Sequence, residues 1–166
     1  MFLIPDRGTF HKSFETLPLV TYEAGETVIA DGSRTGRLLV LKKGTVAIVK
    51  EGTDIAKVAE RGAVFGELSV LLDQPHAADV CALETSQFHL ADANTLLMQS
   101  PIAVLYIATM LAHRLNGANH ALIQLKQQLL AGESQSVVAK TVSKMERFLV
   151  ASSSLVYAGY PYDPYA

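Results

Sequence analysis

The chain has no tryptophan and one cysteine among its 166 residues, and each scarcity excludes something. A lone cysteine cannot form an intramolecular disulfide, so the fold must hold by packing, and a reducing cytoplasmic compartment is the expectation. Cys81 lies in an alternating apolar run, which predicts a buried structural thiol and not a reactive one. Without tryptophan, the core must rest on aliphatic residues and a few Phe and Tyr. Only 18% of residues are charged against 49% hydrophobic, a balance that excludes a disordered chain. The net charge is −2, and Lys and Arg are scattered apart from short clusters such as Lys42-Lys43. That counts against non-specific nucleic-acid binding, which needs many phosphate contacts.

Long apolar runs are missing too. Met1-Phe2-Leu3-Ile4 meets Pro5-Asp6-Arg7 at once, which leaves no room for a signal peptide. The longest uncharged stretch, 93–112, is interrupted by Asn94, Thr95, Gln99, Ser100 and Pro101, so no membrane span is expected. Catalytic patterns are equally scarce. The histidines are His11, His76, His89, His113 and His120, and no two of them are two positions apart, as a cupin-type metal site requires. His113 and His120 would lie about 10.5 Å apart along a helix, too far to ligate one ion. Neither a Walker-type phosphate loop nor a serine elbow is present. No metal, cofactor or enzymatic activity is expected.

What is there begins with turn punctuation. Val28-Ile29-Ala30 is followed by Asp31-Gly32-Ser33, Leu38-Leu39-Val40-Leu41 by Lys42-Lys43-Gly44, and Val46-Ala47-Ile48-Val49 by Lys50-Glu51-Gly52. Ile55 to Ala59 is likewise followed by Glu60-Arg61-Gly62. Short apolar runs with recurring turns predict an antiparallel sandwich or barrel from Val20 to about Leu90, in which only 65–72 reads helical.

The second half changes period. Ser100-Pro101 is a helix start, with serine as N-cap and proline at the first helical position. Ala108, Leu111, Leu115, Ala118, Leu122, Leu125 and Leu129 then fill successive a and d positions, and Gly132 supplies a stop. The pattern favours a parallel dimer seam, with Gly117 and Ala118 allowing close approach of two backbones. The alternative is a long helix packed only on its own β domain. A second amphipathic segment, 135–151, places Val138, Thr141, Val142, Met145, Phe148 and Leu149 on one face. Beyond it, the tyrosine-, proline- and glycine-rich 152–166 reads as a flexible tail, with docking through its tyrosines as the other reading.

Phe65-Gly66-Glu67-Leu68-Ser69 and, after a short loop, Pro75-His76-Ala77-Ala78 together resemble the phosphate-binding cassette of cyclic nucleotide-binding domains. The resemblance extends back through Thr21-Tyr22-Glu23-Ala24-Gly25-Glu26-Thr27-Val28-Ile29 and the segment from Leu38 to Val46. It runs forward through 100–125, which is similar to the long dimer helix of catabolite-activator-like regulators. It implies a mainly β fold with α-helices: an antiparallel β-roll, or double-stranded jelly roll, followed by a long dimerisation helix. The expected organisation is an N-terminal helical segment 1–19, a β-roll 20–98, a long helix 100–131, a C-terminal helix 135–151 and the tail.

Each part of a cyclic nucleotide needs an answer from the site. A tight turn at Gly66 opening a short helix through Glu67, Leu68 and Ser69 would aim free amides at the cyclic phosphate. Glu67 at that place suits a helix dipole, while the resemblance implies that it accepts from the ribose 2′-hydroxyl. The family pattern has arginine where this chain has His76, and an imidazole gives up the bidentate, permanently charged contact. Two outcomes stay open: weakened binding, favoured because Gly66, Glu67 and Ala77 are in place, or a site that has lost nucleotide and kept the fold. Ala77, where some relatives carry a threonine that donates to guanine, tips the base preference toward cAMP over cGMP. By resemblance the long helix lids the base, with Asn119 near the adenine amino group; Asn119 also reads as a solvated or seam-flanking position.

Many relatives append a winged helix-turn-helix, but too few residues follow Gly132 for one, so direct DNA binding is not expected. The expected function is a cAMP-preferring sensor acting as a homodimer, with the C-terminal helix or tail as a surface for a protein partner. The alternative is a degenerate fold that acts as an interaction module.

Overall fold

Leu38-Leu39-Val40-Leu41 shows no polar alternation because its strand is covered on both faces. The computed structural model describes residues 12–132 and 134–150. In it β3 (Arg37–Lys43) turns Leu39 and Leu41 into the interior between two sheets, and Leu38 and Val40 outward beneath helices. One sheet orders β1 (Leu19–Tyr22), β8 (Ser86–Asp92), β3 and β6 (Val64–Phe65) side by side. The other orders β2 (Thr27–Ile29), β7 (Asp79–Ala82), β4 (Val46–Lys50) and β5 (Thr53–Val58). Every pairing is antiparallel, as the spacing of turns predicted.

Between the sheets lies a core of Val28, Ile29, Leu39, Leu41, Val46, Ile48, Val58, Phe65, Val80 and Phe88. Phe88 meets Tyr22 and Phe65 edge to face with ring centroids at 5.8 Å and 5.9 Å. Such contacts add about 1 kcal/mol each beyond area burial. Gly44 turns β3 into β4 at φ 106, where a Cβ would run into Ser86. No other residue fits there.

Besides the helical residues 12–14, the described residues form four helices: α1 (Glu67–Leu71) between β6 and β7, and after β8 α2 (Ala93–Gln99), α3 (Pro101–Leu130) and α4 (Gln135–Val150). The expected β-roll segment 20–98 did not set α2 apart as a helix. Its signal was Asp92, whose side chain accepts from the Thr95 amide at 2.8 Å as an N-cap. Ser100 then breaks the path, caps α3 by accepting from the Ala103 amide at 3.2 Å, and leaves a 104° bend between α2 and α3. The first half of α3 buries Ala103, Ile107 and Met110 with Phe14 against the outer face of β3. Tyr106 fixes that docking by donating to the Gly62 carbonyl at 3.0 Å.

The second half of α3 has a partner within the chain. Gly132, at φ 69, stops α3, and α4 folds back along it. Ala118 and Ala121 pack with Met145, and Thr141 donates to Gln128 Oε1 at 2.7 Å. Of the predicted α4 face, Val138, Thr141, Val142 and Met145 are covered, and the side chains of Phe148 and Leu149 lie outside the described residues. The heptad seam, by contrast, is divided. Leu111 packs on the roll and Ala118 under α4, whereas Leu115, Leu122 and Leu129 are 63%, 53% and 61% exposed. Ala118, one of the two small residues at the predicted close approach, is thus used by the chain's own α4.

Of the expected N-terminal helical segment 1–19, residues 12–14 are helical, and Met1 to His11 lie outside the described residues, as do Ala151 and the tail 152–166. Cys81 corrects its expectation. It is half-buried, because only alternate residues of β7, Val80 and Ala82, turn into the core. No single helix among the described residues is long and apolar enough to cross a membrane.

Candidate functional site

At one end of the interior the two sheets leave a cavity of about 220 Å³. Ile29, Ile48, Ile55 and Val80 continue the core as an apolar wall, and Lys50 sits at the end of β4. The opposite side is made by two backbone arms, 64–69 and 74–78, and Arg114 reaches in from α3.

The first arm is shaped by Gly66. At φ 92 it adopts a left-handed conformation, and a Cβ there would lie 2.5 Å from the Arg37 carbonyl oxygen. The sharp turn opens α1, whose first amides have no acceptor within the helix. Glu67 is 4% exposed, and its Oε1 accepts from Arg114 Nη1 at 2.6 Å. This ion pair is almost fully enclosed and joins the cassette to the long helix. Arg114 Nη2 lies 4.0 Å from Met110 Sδ, and its Nε is buried without a hydrogen-bond partner. Ser69 ties the arms together by donating to the Gln74 carbonyl at 2.6 Å.

The second arm hangs on the β2–β3 loop. The His76 amide donates to the Ser33 carbonyl at 2.9 Å, and the His76 carbonyl accepts from the Gly32 amide at 2.8 Å. The His76 ring is buried, with Nε2 3.1 Å from Thr35 Oγ1. Burial pushes its pKa below the ordinary imidazole value, and the charge of Glu67 opposes that shift without overcoming it. Arg34 Nη1 closes the loop by donating to the carboxylate and the carbonyl of Asp73, both at 3.0 Å.

Phe65, Gly66, Glu67, Leu68, Ser69, His76, Ala77 and Ala78, the cassette residues singled out in the sequence, all line this one cavity. Asn119 does not. It is exposed on the stripe of α3 between Leu115 and Leu122, because the helix leaves the cavity after Arg114 and its next inward turns are taken by α4. Sequence reasoning missed Lys50 and Arg114. Both carried a signal: Lys50 shares the inward parity of Val46 and Ile48, and Arg114 follows Ile107 and Met110 at helical spacing.

The arrangement offers backbone donors, buried polar groups and an apolar slot. No group of three or more His, Cys, Asp or Glu that could hold a metal ion occurs among the described residues.

A β-roll with a turn-and-helix cassette at its open end is the architecture of one known class. Residues 19–98 match the family model of the cyclic nucleotide-binding domain. A cGMP-dependent protein kinase of Toxoplasma gondii is 39% identical over 71 residues, covering 43% of this chain and 7% of the kinase. A cAMP-dependent protein kinase regulatory subunit of Mucor circinelloides f. lusitanicus is 33% identical over 75 residues, covering 43% of this chain and 18% of its own length. The chain thus spans less than a fifth of either relative. Among solved structures, the Thermus thermophilus catabolite activator protein superposes with a TM-score of 0.55 at 21% identity, covering 84% of this chain and 82% of that one. At that identity the likeness is one of fold. It matches the β-roll with a long following helix.

Proposed function

We propose that the chain is a regulatory sensor that binds a cyclic nucleotide in this cavity and signals through α3, with no catalysis of its own. The observation that carries this reading is the buried pair between Glu67 and Arg114. Glu67 is the group that would accept from the ribose 2′-hydroxyl, and Arg114 belongs to the helix that would carry the signal. A ligand that engages Glu67 therefore changes what holds α3 in place. Differential affinity for two helix arrangements is all that signalling requires.

In this reading the phosphate meets the amides of Gly66, Glu67, Leu68, Ser69, Ala77 and Ala78, with Phe65 and the β-sheet wall flanking the nucleoside. Lacking a hydroxyl at Ala77, the site favours cAMP over cGMP. With no arginine in the cassette, affinity falls by about ten- to a hundredfold relative to an arginine-bearing site. The exposed leucines of α3 form a homodimer stripe, and α4 is the output surface for a protein partner. Sedimentation equilibrium should show a dimer that Leu122→Asp dissociates; a wild-type monomer at high concentration would remove the dimer from the account.

One observation favours a second reading. Glu67 and His76, the two polar cassette side chains that the family resemblance sets against the ligand, are both already satisfied, by Arg114 and by Thr35. A scaffold that binds no nucleotide would look the same. Calorimetry with cAMP and cGMP on the wild type and on His76→Arg separates the two. Saturable heat from the wild type supports the sensor; silence in the wild type with binding restored by arginine identifies a degenerate site, and silence in both ends the nucleotide reading.

A further inference from the structure

We infer that Lys50 is the cation that meets the anionic phosphodiester of the ligand, supplying from β4 the charge that arginine supplies from the cassette in the family pattern. This rests on the nucleotide-binding reading above. Three basic side chains line the cavity among the described residues: His76, Arg114 and Lys50. His76 is buried and engaged with Thr35. Arg114 is committed to Glu67 in an ion pair whose side chains are 11% and 5% exposed. Drawing it toward a phosphate would leave a buried carboxylate unpaired.

Lys50 differs on each count. Val46 and Ile48 turn into the core and Lys50 follows at the same parity, so β4 delivers its side chain to the cavity side of the sheet. Val49 pairs with Asp79 in the register of β4 with β7, which sets Lys50 beside Ala78 at the end of the second arm. Its ammonium is held there by Asp31 Oδ2 at 2.9 Å. Asp31 in turn is fixed at that edge, because its amide donates to Asp79 Oδ1 at 2.8 Å.

The contact with Asp31 does not close Lys50 to a ligand. Both side chains are more than a third exposed, and surface pairs of this kind contribute little to stability. An ammonium has three donors, so it can keep Asp31 on one and offer another to a phosphodiester oxygen. As a point charge on a flexible stem it tolerates imperfect geometry, without the bidentate fit of a guanidinium. A phosphate held in this way also depends more on ionic strength.

The test is calorimetry with cAMP and with adenosine, which lacks the phosphate, on wild type, Lys50→Met, Lys50→Arg, His76→Arg and the Lys50→Met/His76→Arg double variant. Melting temperature serves as a check on folding. Lys50→Met should weaken cAMP by about tenfold or more and leave adenosine unchanged, Lys50→Arg should retain cAMP, and the double variant should regain it. Equal cAMP affinity in wild type and Lys50→Met would overturn the role of Lys50 while leaving nucleotide binding intact, and so would an equal loss for cAMP and adenosine. If neither wild type nor His76→Arg binds cAMP, the nucleotide-binding reading itself fails, and this inference fails with it.

Discussion

The two arms of the cassette close one cavity by opposite means. The first arm, 64–69, is fixed by close packing and charge: Gly66 turns against the Arg37 carbonyl, and Glu67 is locked to Arg114 of α3 in a nearly dry ion pair. The second arm, 74–78, is fixed from outside by the β2–β3 loop, through neutral hydrogen bonds to Gly32, Ser33 and Thr35. Charge on the first arm thus serves to couple the site to the helix. On the second arm the cassette brings no permanent charge, and Lys50 stands beside it on another strand. An arginine in the second arm would unite two tasks that this chain divides between β4 and a backbone clasp.

Breaking the first arm should have the largest effect. Arg114→Met leaves the Glu67 carboxylate buried without a partner, and removing one member of such a pair costs about 3–5 kcal/mol. Urea unfolding should show that loss, and the double variant Glu67→Gln/Arg114→Met should recover much of it. A loss under 1 kcal/mol in the single variant would mean that the pair behaves as a solvated contact.

On the second arm the effect should be smaller. Thr35→Val removes the hydroxyl that meets His76 Nε2, for a cost of about 1–2 kcal/mol. If it matches the loss for Arg114→Met, the contrast between the arms disappears.

A milder lever is pH. His76 and His89 both have pKa values pushed below the ordinary imidazole value, chiefly by burial. Below about pH 6.5 the unfolded chain takes up protons that the folded chain resists, so stability is full above neutrality and falls as pH drops through that value toward the folded pKa values. The urea midpoint should therefore be lower at pH 5.5 than at pH 7.5, and His89→Gln should reduce the difference. A midpoint that rises on acidification would reverse the assigned direction.

Much of this contrast was legible in the residues before the structure. Turn punctuation and apolar runs are local signals, and they marked β2, β3, β4 and β5, the start of α3 at Ser100-Pro101 and its stop at Gly132, while β1, β6, β7 and β8 were not marked individually. The cassette was legible because Gly66 and its neighbours form a contiguous pattern. What stayed hidden depends on contacts between distant segments. The partnership of Glu67 with Arg114 spans 47 positions, and that of Thr35 with His76 spans 41. Asn119, which the resemblance set near the base, is exposed on α3, as its other reading had it, and a heptad pattern gives the spacing of a helix face but not what covers it. Ala118 and Leu122 read as one seam, yet α4 covers the first and leaves the second exposed.

The central claim, that a cyclic nucleotide occupies the cavity between the two arms, is tested most directly by titrating isotope-labelled protein with cAMP and following backbone amide resonances. The account predicts saturable shifts at Gly66, Glu67, Leu68, Ser69, Ala77 and Ala78, with further shifts in α3 around Arg114. Amides of both arms that stay unmoved at millimolar cAMP would contradict it.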